Sequence, residues 1–135
     1  MSREATTEIK DGTMQFLLMI YAEEAHFGTL SQAELQKTMK EYGAFTRGIK
    51  ESKHLLGGER LEPTRQALTV RVRDGKTSTT HGPFAETREA LGGYYLIEAK
   101  DIEEAAEIAA RIPGAKFGSV EVRAIMTMDP ANYAP

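Results

Sequence analysis

Cysteine and tryptophan are both missing from these 135 residues. Without cysteine there is no disulfide staple, no thiolate nucleophile and no thiolate metal ligand, which fits a cytoplasmic setting. Charge is not concentrated either. Seventeen Lys and Arg stand against twenty Asp and Glu, for a net −3, and no basic block occurs. Nucleic acid is therefore not an expected partner. Long apolar runs are lacking as well. The longest, "MQFLLMIYA", is about half of a membrane span, and neither its position nor its flanks are those of a signal peptide. No membrane role is expected. His26, His54 and His81 show no H-x-H, H-x3-H or HExxH spacing, so no metal centre is expected. The Gly-Gly pairs at 57–58 and 92–93 lack a phosphate-loop pattern, and no Gly-x-Ser-x-Gly elbow occurs. Nothing implies a cofactor.

What remains is one domain's worth of chain, over residues 13–129, between a polar N-terminal tail (1–12) and a short C-terminal tail (130–135). Met14 to Tyr21 reads as a central strand, and "AEEAHFGTL" as loop. Ser31 with Glu34 three residues on is a capping box. Leu35, Met39, Tyr42, Phe45 and Ile49 then follow at helical spacing, as one apolar face. "HLLGGERL" suggests a short strand with a bend at Gly57-Gly58. "AETREAL" suggests a short helical turn, and "GGYYLIEA" another strand. A second helix starts at Asp101, with Ile102, Ala105, Ala109 and Ile112 as its buried stripe. "SVEVRAIMTM" closes the chain as a strand with Val120, Val122, Ala124, Met126 and Met128 on one face.

The clearest local signal is "ALTVRVRDGKTSTTH". Asp74-Gly75 accepts the positive φ angles of a two-residue hairpin turn. Counting outward sets Val72 opposite Thr77, Val70 opposite Thr79 and Leu68 opposite His81. Arg71 meets Ser78 on the other face, and Thr69 meets Thr80. His81 then ends its strand on the Leu68/Val70 face, expected to point inward, and Gly82-Pro83 stops the ladder. The order strand, helix, strands, helix, strand indicates an α+β sandwich of the split βαβ kind, with helices on one face of the sheet. A second copy is the economical cover for the other face, so a homodimer is expected.

The string "HGPFAETREALGGYYLIEAKDIEEAAEIAARIPGAKFGSVEVRAI" resembles the C-terminal half of the YCII-related, or DGPF-domain, proteins. "FLLMIYA", "YGAFTRGI", "GGERL" and "TVRVRDGK" resemble that group's pattern in order, so the likeness spans about Met14 to Met128. It implies a ferredoxin-like α+β fold that dimerises into an α+β barrel. It also implies the company of extracytoplasmic-function sigma factors, while for most members no reaction is established. Two departures stand out. His81 occupies the place of the signature aspartate. Narrower YciI-like relatives pair a helix histidine with a later aspartate, a dyad proposed for catalysis, and one related enzyme removes chloride from a chlorinated acid. Here Tyr42 and Ile112 fall at those two places, so a dehydrochlorinase using that dyad is not expected.

Five residues are candidates for a site. His81 could be a general base, or merely end a strand. Arg71 and Arg123 could each clamp a small anion in bidentate fashion, or pair with a carboxylate across a dimer. Tyr42 is either core with its hydroxyl on a partner, or a catalytic acid. Glu86 could orient the His81 ring, cap a turn or face solvent. Phe84 should bury its ring in the core or wall a pocket. A protein so built would bind a small anionic molecule near His81, with proton transfer or lyase-type elimination as possible chemistry. The other reading is a non-catalytic module that contacts a sigma factor.

Overall fold

The structure, a computed structural model, describes residues 12–132. The two tails expected from the sequence lie largely outside the described residues. β1 (Met14–Ala22) is the central strand expected of its apolar run. Where a loop was expected, a short helix follows, α1 (Glu24–Gly28). α2 (Gln32–Glu51) opens on the expected capping box, with Ser31 and Glu34 each bonding the other's backbone N–H. β2 (Leu55–Arg60) pairs through a register shift at Leu55/Gly57. A hairpin follows, β3 (Leu68–Arg73) and β4 (Lys76–His81), then β5 (Ala90–Ala99). α3 (Ile102–Ala110) and β6 (Ser119–Ala124) complete the order, joined by a 3-10 turn at Pro113–Lys116. The N-cap Asp101 takes the Glu104 N–H, while the Glu104 carboxylate reaches back to the N–H of Lys100, a box-like cap offset by one residue.

The main sheet runs β2-β5-β1-β6, with all neighbours antiparallel. β1 therefore runs parallel to β2 with β5 between them, and β5 parallel to β6 with β1 between. These two interlocked split βαβ units make a ferredoxin-like arrangement. Phe16, Leu18, Ile97 and Ala99 face the helices. They pack with Phe45 and Ile49 of α2, Ala105, Ile108 and Ala109 of α3, and Ile112. The alanines bring α3 close to the strands. Each large side chain fully enclosed there contributes about 1.5–3 kcal/mol.

The helical stripes run past this core. Leu35 and Met39 in the first turns of α2 are exposed, Met39 meeting the Arg60 guanidinium at the end of β2, and Ile102 is exposed at the start of α3. β6 stops at Ala124, opposite Phe16, near where its partner β1 begins. Met126, expected on the core face, is instead 80% exposed, and Met128 is exposed too. "AETREAL" forms no helical turn. No described helix is long and apolar enough to cross a membrane.

Candidate functional site

The hairpin is a two-stranded arm separate from the main sheet. Asp74 and Gly75 sit at φ 52° and 74°, the mirror-image turn expected of Asp-Gly. The register is the one counted from the sequence, from Val72 opposite Thr77 to Leu68 opposite His81. Its base is clamped: Gly82 N–H donates to the Ala67 carbonyl at 2.7 Å, and Thr69 Oγ1 donates to the Gly82 carbonyl at 2.9 Å. Gly82 needs its glycine, since φ is +101°.

That clamp fixes where His81 lies. It does not give it the expected inward aim within one chain. Every residue of β4 is exposed, because the arm stands off the four-stranded sheet instead of extending it. Alternation also separates two candidates. His81 shares a face with Leu68, Val70 and Val72, whereas Arg71 shares the other with Thr69 and Ser78. One arm cannot bring His81 and Arg71 to the same small ligand. Glu86 is exposed in the loop, and Phe84, expected in the core or on a pocket wall, is 79% exposed.

Arg123 lies on the sheet face away from the helices, opposite Leu17. That face holds half-buried Leu17, Met19, Tyr94 and Leu96 beside the exposed Glu121, with Gln15 and Glu98 buried at one end. Tyr42 lies on the other side of the sheet, in the helical layer. Its hydroxyl accepts the Gly114 N–H at 3.1 Å. Burial lifts the phenol above its ordinary 10.0, the Gly114 bond pulls the other way, and Tyr95 and Arg60 add smaller opposing effects. Its geometry thus fits the core reading. The five candidates do not converge in one chain.

Other polar groups do come together. Thr46 Oγ1 and the Tyr95 hydroxyl are 2.6 Å apart, and the Tyr95 ring packs edge-on against Phe45. The loops at the α1 end are pinned by Glu24, whose carboxylate takes both the hydroxyl and the backbone N–H of Thr64. Those two bonds hold its carboxyl below the usual range. Glu23 pairs with Arg88 at 3.2 Å, and His26 stacks on Phe117 with Phe27 edge-on. Where α2 ends, Ser52, His54 and Glu104 meet beside a recess of about 210 Å³. A larger depression, about 410 Å³, lies along Ala33, Lys37 and Glu41 of α2. Neither recess is lined by any of the five candidates. Among the described residues no cluster of three or more His, Asp or Glu is placed to hold a metal ion. Sequence reasoning weighed His54 only as a metal ligand and passed over its neighbour Ser52, because Glu104, which completes the group, lies on another helix far along the chain.

The model of one known family, described as the YCII-related domain, matches residues 14–129. A relative from Rhizobium meliloti (strain 1021), named only as an uncharacterized protein, is 34% identical. The alignment spans 88% of this chain and 98% of that relative.

Proposed function

From the premise that this chain belongs to the YCII-related family, we propose a cytoplasmic homodimer that binds a small anionic molecule at a cleft completed between subunits, with His81 at its edge. One observation carries the reading. Leu68, Val70 and Val72 line one face of the arm and are 54%, 57% and 58% exposed in the single chain. Alternate apolar residues on a strand pair are the pattern of a ribbon with one covered face. A second copy supplies that cover, and by symmetry each arm reaches the other subunit.

Covering that stripe would also bring His81, its neighbour on the same face, to a protein boundary. Arg123, on the open sheet face, is then the anion clamp available from the partner copy. Arg71 points the other way and pairs across the interface or serves a second ligand. Glu86, from the loop after the arm, is the carboxylate available to orient the imidazole. If the ligand reacts, His81 acts as base in proton transfer or elimination.

A second reading is favoured by Phe84, which is 79% exposed on the loop after the arm. A large bare ring three residues after the arm suits a surface that docks another protein, and a sigma factor is the partner the family resemblance suggests. Light scattering at micromolar concentration, then a metabolite thermal-shift screen, separates the two. The first reading expects a dimer whose ligand stabilisation vanishes in His81→Asn. A stable monomer, or His81→Asn with unchanged affinity, sinks it. Capture of a sigma factor with no metabolite hit supports the second.

A further inference from the structure

At the junction of α2, β2 and α3, far from the arm in the sequence, lies the recess of about 210 Å³ lined by Ser52, Lys53, His54, Glu98, Lys100 and Glu104 among others. Ser52 Oγ is 2.7 Å from His54 Nδ1. The hydroxyl has one proton and a second acceptor in reach, the Ile49 carbonyl at 3.2 Å. That carbonyl already takes the His54 backbone N–H at 2.9 Å. Two proton arrangements fit these contacts, and the one with the ring proton on Nε2, toward Glu104, leaves Nδ1 to take the hydroxyl proton. Nε2 faces Glu104 Oε1 at 3.6 Å, within ion-pair range. Glu104 is itself held. Its Oε1 accepts the Lys100 N–H at 2.9 Å, and its own N–H donates to Asp101 Oδ1 at 2.8 Å.

Hydroxyl, imidazole and carboxylate thus stand in a row, the first two in hydrogen-bond contact and the last two within ion-pair range. That is how a serine is made nucleophilic, here with the two ring nitrogens interchanged relative to the usual triad. Ser52 is exposed, so a substrate can reach it. Lys53 is held at φ 66° beside it, and Lys53 and Lys100 place two cations on the recess wall, where positive charge favours a developing oxyanion.

We propose that Ser52 accepts acyl groups from small esters, with His54 as its base and Glu104 as the positioning residue for the imidazole. The Ser52 oxygen bonds to the acyl carbon while its proton passes to His54 Nδ1. The ester C–O bond breaks and the alcohol leaves with that proton. Water repeats the two steps on the acyl-serine and releases the carboxylic acid. This site is independent of the arm and of His81, so neither proposal depends on the other.

The test uses an alkyl fluorophosphonate on the native full chain, followed by peptide mass mapping. Phosphorus takes the serine oxygen as fluoride leaves, which mimics the acylation step. A single adduct is expected on Ser52, absent from Ser52→Ala and from wild-type protein unfolded in guanidinium. His54→Gln slows labelling about a hundredfold. Glu104→Gln slows labelling at an unchanged melting temperature and Glu104→Asp recovers part of the rate, because a carboxylate is what holds the ring in place. Lys53, Glu98 and Lys100 are the other charged groups lining the recess and stay unchanged in that comparison. Ser52 also ends α2, so thermal melts accompany each variant. Should Ser52→Ala not fold, native wild type against His54→Gln decides. No adduct, an adduct elsewhere, or equal labelling of Ser52 in His54→Gln or in the unfolded chain overturns the proposal. A labelling rate in Glu104→Gln equal to wild type overturns the part given to Glu104.

Discussion

The hydroxyl of Tyr42 accepts the backbone N–H of Gly114 across 3.1 Å and so ties the middle of α2 to the turn after α3. Gly114 is buried, and its N–H has no easy substitute for that oxygen. Tyr42→Phe keeps the ring and removes the acceptor. A loss of about 1–3 kcal/mol is expected in urea unfolding, the penalty of a buried donor left unmet. A change of less than a few tenths of a kcal/mol would mean that water reaches the site.

Gly114→Ala attacks the same contact from the other side. An added Cβ would stand 2.6 Å from the Tyr42 hydroxyl oxygen and 3.1 Å from Ile20 Cγ2. Overpacking of this kind costs about 1–3 kcal/mol. Much of the clash is with the hydroxyl, so the cost of Gly114→Ala should shrink in a Tyr42→Phe background. A double-mutant cycle reads that coupling, and strict additivity would contradict it.

Alkaline pH probes Tyr42 again. The native phenol holds its proton to a higher pH than the ordinary 10.0 of the unfolded chain, because burial disfavours its anion. Stability from this source is whole below pH 10.0 and falls as pH rises past it, since the unfolded chain ionises first. Denaturant titrations above pH 10 should show a steeper decline for wild type than for Tyr42→Phe. Parallel curves would remove Tyr42 as the cause.

Val70→Lys tests the arm. At a side chain exposed in the single chain, such a change alters monomer stability by no more than about 0.5 kcal/mol. Under the proposed assembly it places a charge inside the dimer contact. Light scattering should then report a folded monomer, with circular dichroism unchanged. A dimer as tight as wild type would show that this face stays open.

Much of this architecture could be read from the residues, and for a physical reason. The Asp74-Gly75 turn fixes pairing by local geometry, so counting outward gave every partner down to His81. The Ser31/Glu34 box is local too. What escaped was set by the reach of other elements. Met126 and Met128 continue the alternation of β6, but β6 ends at Ala124, and the register would set Met126 against Met14, the exposed first residue of β1. Leu35 and Met39 keep helical spacing yet stay exposed. The five-residue α1 has no side-chain cap to announce it. The same divide governs the site. Alternation placed His81 and Arg71 on opposite faces, yet nothing in a strand says whether either face is covered. Ser52, His54 and Glu104 come together only because α3 docks where α2 ends.

The clamp between Ala67 and Gly82 closes the foot of the arm on itself. The ribbon beyond it hangs from the body as a self-contained branch, pinned at one point. Descendants of this chain can therefore lengthen it, trim it or exchange its tip while the four strands beneath keep their alignment, which makes it a natural place for lineages to diverge in what they recognise.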